Sequence, residues 1–228
     1  MLVASMLKAM LIMLVAMSAI PAGDAASKIL TSDVGVAHTY VVWTRFLIGG
    51  FVSLPFTWRA GLSVWRDWRV WFRAALIGLG ISCITRALQL APLADVFGAF
   101  FIGPLVSFVL SVWLLKEWAN IIQAVLVLIG FFGVLFIVRP GFEASAGLGW
   151  ALLAGCTYGA FLTVSRWLTG SVALGGLMIT QMVGPVILVS PFVIGQFPEF
   201  TPQIAKLTLI SGLGSMIGNV LMLFAYKM

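Results

Sequence analysis

Apolar residues in this chain come in long blocks separated by short polar joints, and they do not alternate with polar ones. A helix crosses the hydrocarbon of a bilayer in roughly 20 residues. Blocks of that length fall at Met6–Leu30, Thr39–Trp58, Val70–Leu90, Ala94–Leu115, Ile121–Arg139, Gly147–Leu168, Leu174–Gly195 and Lys206–Lys227. The joints RAGLSVWRDWR, APL, KEWAN, RPGFEAS, TGSVA and FPEFTPQ carry the expected breakers and hold no soluble domain. Barrel strands would be about ten residues long with alternating polarity. The pattern instead predicts an all-α integral membrane protein, a polytopic bundle of eight transmembrane helices.

Composition strengthens that reading. The 228 residues are 62% hydrophobic and 9% charged, whereas a soluble domain is about half apolar and about a quarter charged. Too little polar surface exists to cover a water-soluble globule. The net charge of +6 does not form a phosphate-binding patch, because the basic residues are scattered, many of them at the ends of apolar blocks; no nucleic-acid partner is expected. Arg59, Arg66, Arg69 and Arg73 crowd the second joint against Asp67 alone, which places that joint in the cytoplasm. Both termini then also lie inside, in the inner membrane. Lys8, the apolar core and AGDAAS mimic a signal peptide, whose cleavage would leave seven helices. Cys83 and Cys156 read as reduced packing residues, and His38 falls in a loop. No metal-ligand spacing, Gly-rich nucleotide loop or nucleophile–base pair is visible, so no cofactor, metal or enzymatic activity is expected.

An internal repeat ties the first helix to the rest. SKIL (27–30) matches SRWL (165–168), TRFLIGGFVSLPF (44–56) aligns with TQMVGPVILVSPF (180–192), and GISCITRALQL (80–90) with GNVLMLFAYKM (218–228). Thr44 falls on Thr180, Pro55 on Pro191 and Phe56 on Phe192. The repeat unit holds five helices, an odd number, so the second copy is inverted, as in many secondary transporters. The expected organisation is a first repeat over 1–142 and a partial second over 146–228, five helices plus three. Met228 aligns with Leu90, which leaves the second copy without counterparts of helices four and five.

Residues 87–142 carry the most specific text: AL-x-x-A-PLAD, a mid-helix Pro104, LL-x-E at Leu114–Glu117, and GFFGV followed by Arg139-Pro140-Gly141. This resembles the EamA domain of the drug/metabolite transporter superfamily, and GDAASK and WTRF in the first two helices are similar to it as well. The resemblance implies ten helices in two inverted EamA units, cytoplasmic termini and transport of small organic solutes, often outward.

Ionisable residues inside spans are costly and therefore mark candidates. Asp24 and Lys28 lie four apart on one helical face and can pair. In an antiparallel hairpin Arg45 reaches the depth of Asp24, while Arg86 and Asp95 share the same side of the membrane. These five charges are expected to meet in the outer third of the first repeat. They serve either as an ion network that fixes packing, with Lys28 and Arg86 snorkelling outward, or as a substrate site. In the second case Arg45 and Arg86 contact a carboxylate or phosphate, and Asp24 meets an amine or accepts a proton. The second copy has Gln181 at the Arg45 position and Leu162 at Asp24, so its polarity rests on Gln181, Asn219 and Tyr158. Trp43 and Trp150 are candidates for apolar substrate contacts. Gln89 completes the pathway set of Asp24, Lys28, Trp43, Arg45, Arg86, Gln89, Asp95, Trp150, Tyr158, Gln181 and Asn219. Trp58, Trp65, Trp68, Trp71 and Trp118 read as an interfacial belt. The expected function is a secondary transporter, an exporter of small organic metabolites whose partners are that solute and the lipid bilayer. The alternative is a truncated, non-transporting remnant or membrane scaffold that dimerises or joins another EamA protein.

Overall fold

The computed structural model describes residues 2–57, 62–116, 118, 121–138 and 146–226, without the side chains at 2–11, 13, 16–17, 56–57, 62, 219–220 and 222–226. Trp58, Arg59, Glu117, Arg139 and Lys227, and the side chains of Lys8 and Asn219, lie outside the described residues. Within them the chain is helical and has no strands: α1 (Leu2–Lys28), α2 (His38–Thr57), α3 (Trp68–Leu90), α4 (Leu93–Phe100), α5 (Ile102–Leu114), α6 (Ile121–Val138), α7 (Ala146–Leu168), α8 (Leu174–Val193) and α9 (Pro202–Tyr226). A π-helical turn, Ile29–Asp33, extends α1, and a 3-10 turn, Leu62–Arg66, precedes α3. A helix meets its backbone hydrogen bonds internally, which is what an apolar chain in lipid requires. Trp68–Leu90, Leu93–Leu114, Ala146–Leu168 and Leu174–Val193 are long and apolar enough to cross a membrane.

The structure departs from the sequence reading at several points. The fourth predicted helix, Ala94–Leu115, is present as one apolar span, Leu93–Leu114, but it is interrupted at Phe101 into α4 and α5. Pro104 has no N–H to give the carbonyl of Phe100, four residues earlier, and its ring crowds that carbonyl. The freed oxygen turns to α7, where a Cβ added at Gly155 would sit 2.7 Å from it. Arg73, expected in the cytoplasmic joint, is buried in the second turn of α3, because Asp67 caps the helix from outside by accepting the Arg69 N–H at 2.9 Å. His38 opens α2 rather than lying in a loop. Cys83 is buried, but Cys156 is exposed on α7, so it is not a packing residue.

Long-range packing is dominated by α1 on α9, α3 on α7, α2 on α8 and α5 on α7. At the α1–α9 seam Gly23 and Gly214 bring the backbones together: a Cβ on Gly23 would lie 2.9 Å from the Ser211 carbonyl oxygen, and one on Gly214 2.8 Å from that of Ala19. A central cluster of Val42, Phe46, Ile77, Phe161, Met182 and Met216 joins α2, α3, α7, α8 and α9. Ile121, Ile122, Leu126, Ile129, Phe132 and Phe136 are exposed along α6. A continuous apolar face of that kind is unfavourable in water and at home in hydrocarbon.

Candidate substrate pathway

Helices α1 and α2 each bring one charge into the interior. Asp24 and Arg45 pair with Oδ1–Nη1 at 2.6 Å, their side chains 5% and 6% exposed. Arg45 also donates through Nε to Ser215 of α9, and its Nη1 lies 3.5 Å from Ser27 Oγ. Ser27 in turn shares a 2.6 Å hydrogen bond with Ser211 of α9. A buried ion pair is stable only when its remaining polar atoms are also met, and the three serines do part of that here.

Lys28 does not pair with Asp24. Its Nζ donates to the carbonyl oxygens of Leu88 and Ala91 at 2.7 and 2.8 Å. Those carbonyls close α3, where the last turn lacks intrahelical donors and carries partial negative charge. Lys28 is therefore tied to a helix end rather than extended outward. Arg86 donates to Gln89 Oε1, and Gln89 Nε2 reaches the Thr31 carbonyl at 3.3 Å. Asp95 sits in the first turn of α4 and is half-buried. The five charges thus separate into a buried pair and three groups held elsewhere.

Below the Asp24–Arg45 pair lies a cavity of about 160 Å³ whose walls come from α1, α2, α3, α4, α7, α8 and α9. Phe46, Phe97, Phe100, Tyr158 and Phe161 make it largely aromatic, and Asp24, Arg45, Gln181 and Ser215 supply polar atoms. Four members of the predicted pathway set therefore border it: Asp24, Arg45, Tyr158 and Gln181. Trp43 is turned away, donating to Ser190 Oγ at 3.0 Å and lying edge-on to Phe197. Trp150 is exposed on α7, while Lys28, Arg86, Gln89 and Asp95 do not line the cavity. Asn219 belongs to α9, with its side chain outside the described residues.

The residue that sequence reasoning missed is Arg73. It is 4% exposed, and it stands eleven residues before Ile84, about 16 Å of helix rise from that wall residue of the cavity. Its Nε donates to Ser165 Oγ at 2.7 Å, Nη1 to the Leu177 carbonyl at 2.9 Å and Nη2 to Gln181 Oε1 at 2.7 Å. The guanidinium carbon lies 4.6 Å from the Phe161 ring centroid, within cation–π range. Gln181 and Phe161 both border the cavity, so Arg73 stands directly behind its wall. Two sequence signals point there: Asp67 as a helix N-cap, and the i+4 row of Arg73, Ile77 and Ile81.

The EamA-like transporter family matches residues 7–139, more than half of the chain. The chain belongs to that family. It is accordingly a multi-pass membrane protein of the drug/metabolite transporter superfamily, a family of transporters. A solved structure described as "Crystal structure of protein" shares the fold, with a TM-score of 0.65 over 95% of this chain and 83% of its own, at 20% identity. At that identity the likeness concerns the fold alone. No curated protein matches the sequence.

Proposed function

We propose that this EamA protein is a secondary transporter that exports a small organic metabolite across the inner membrane, by alternating access between two inverted repeats, 1–142 and 146–228. The observation that carries the proposal is the pairing of contacts about the cavity. Under the repeat alignment Arg73 and Ser165 correspond to Ser211 and Ser27, and both pairs are hydrogen-bonded, at 2.7 and 2.6 Å. A Cβ added at Gly78 would lie 3.2 Å from that of Pro185, and in the corresponding pair one added at Gly49 would lie 3.7 Å from Met216 Sδ. The α1–α9 seam has its counterpart in α3–α7. Such equivalence is what two inverted copies facing one site produce, and it supports rocking of one against the other about a site near the midplane. The arginine-rich joint supports cytoplasmic termini, and the family resemblance supports outward movement.

The test is transport by the full chain in proteoliposomes, using labelled amino acids, nucleosides and aromatic acids. Ile81 borders the cavity and is half-buried. Ile81→Trp should fill the space and abolish flux of the transported solute while the protein remains folded. If no solute crosses faster than through empty liposomes, the transporter reading fails and the scaffold alternative stands, to be examined by co-purification with a second EamA protein.

A further inference from the structure

One buried arginine, Arg45, borders the cavity and a second, Arg73, stands behind its wall, in unlike electrical states. Arg45 is neutralised by Asp24 at 2.6 Å. Among the described residues Arg73 is not neutralised: the groups that face it from the neighbouring helices are neutral, namely Ser165 and Phe161 on α7 and the Leu177 carbonyl and Gln181 on α8. A guanidinium carries five N–H donors, and three of them are used here. One hydrogen on each of Nη1 and Nη2 remains, together with the whole positive charge. Neutral acceptors and a ring face solvate such a charge without cancelling it, and a cation taken out of water is strongly unfavourable until an anion approaches.

Gln181 gives that anion a way in. Its side chain borders the cavity, and its Oε1 already accepts from Arg73 Nη2 at 2.7 Å. The amide oxygen therefore occupies the place a carboxylate oxygen would take. A carboxylate arriving from the cavity replaces a neutral acceptor with a charged one, whose hydrogen bonds are shorter and about twice as strong. Gln181, swung aside by a side-chain rotation, can then donate its own N–H to the second carboxylate oxygen. Behind the carboxylate the walls are apolar and ring-lined, with Ile77, Ile81, Phe97, Phe100 and Phe161. One uncancelled positive charge matches a monoanion, whereas a phosphate dianion would leave net negative charge in the same low-dielectric space.

The geometry points to a substrate with a single carboxylate and a compact aromatic body, the carboxylate bound to Arg73 through the port held by Gln181. This rests on the transporter reading above and names the chemical class of its substrate.

Binding to the full chain in nanodiscs, followed by equilibrium dialysis with labelled probes, tests it. Phenylacetate should bind saturably, and its neutral isostere phenylacetamide about tenfold or more weakly. Arg73→Gln should erase that difference, and Arg73→Lys should keep part of it. Gln181→Glu is the second variant, and it keeps Arg73 in place. It installs a tethered carboxylate beside Arg73, so it should raise the unfolding temperature and exclude phenylacetate. Equal binding of acid and amide, no saturable binding of phenylacetate, tighter binding of phenyl phosphate, or a Gln181→Glu protein that still binds phenylacetate would each overturn the assignment. Phenylacetate that binds but never crosses sinks the transporter reading alone; transport restricted to neutral solutes sinks the carboxylate assignment alone.

Discussion

The Arg45 and Arg73 clusters bury the same side chain to the same degree, 7% and 4% exposed, by different means. Each arginine reaches a serine of the first helix in a predicted repeat, Ser27 in one case and Ser165 in the other. At Arg45 the charge is cancelled by Asp24, and further hydroxyls complete the shell. At Arg73 two hydrogen-bonding helices and an aromatic face surround a charge that none of the described residues cancels. The two sites thus divide the labour, one fixing how α1, α2 and α9 pack, the other holding a cation behind the wall of the cavity.

The sharpest way to break this contrast is Asp24→Asn. It keeps the shape and leaves Arg45 as a lone buried cation without the serine-rich shell being rebuilt around it. Removing one partner of a buried pair costs about 3–5 kcal/mol, so thermal unfolding of the detergent-solubilised protein should drop sharply. The double variant Asp24→Ala/Arg45→Met should recover most of that loss, since the pair is worth far less than half of it left alone. An Asp24→Asn protein as stable as the parent would mean that Asp24 is not what holds Arg45.

Gly23→Ala sharpens the same side. The added Cβ would stand 2.9 Å from the Ser211 carbonyl oxygen and 3.2 Å from the Ser215 nitrogen, forcing α9 away from α1 and the Arg45 shell apart. Overpacking of this kind costs about 1–3 kcal/mol. On the other side Arg73→Met should cost less, about 1 kcal/mol, because two of the three partners it abandons keep others: Ser165 already donates to the Phe161 carbonyl at 2.7 Å, and the Leu177 carbonyl accepts from Thr180 at 3.2 Å, while Gln181 borders the cavity. If unfolding measurements placed Arg73→Met below Asp24→Asn in stability, the division of labour would be reversed.

How much of this was legible follows from what each signal depends on. The helical spans were readable because hydrocarbon thickness dictates block length, whatever the partners are. The interruption at Phe101 was only half readable: a proline inside a helix forces a kink, but where the freed carbonyl finds room, against Gly155 of α7, depends on a helix far away in the chain. Depth along antiparallel helices put Asp24 and Arg45 at one level, and there they pair. The same argument could not tell that Lys28, one turn from Asp24, would prefer the end of α3, since carbonyls leave no mark in a sequence. Arg73 was lost among its neighbours in an arginine-rich joint. Charge density gives the side of a membrane, whereas the fate of each arginine depends on where the N-cap starts the helix.

Asp67 and Arg69 extend the comparison to an arginine pair at the surface. They sit at the entrance to α3, half-exposed, with Nη2–Oδ2 at 2.6 Å, as close as Asp24 and Arg45. Water screens them, so Asp67→Asn should change stability least of all these variants, the more so because asparagine still caps a helix. What remains is a pH signature. The side-chain hydrogen bond from Arg69, first among the causes, holds the Asp67 carboxyl below its ordinary value of 3.8. A depressed carboxylate pKa contributes stability that is present above the unfolded value and lost as pH falls through the folded one. The small gap in unfolding temperature between parent and Asp67→Asn should therefore stay constant from neutral pH down to about 4 and close below that. A gap that instead widened on acidification would mean that the pairing with Arg69 does not favour the ionised carboxyl at the start of α3.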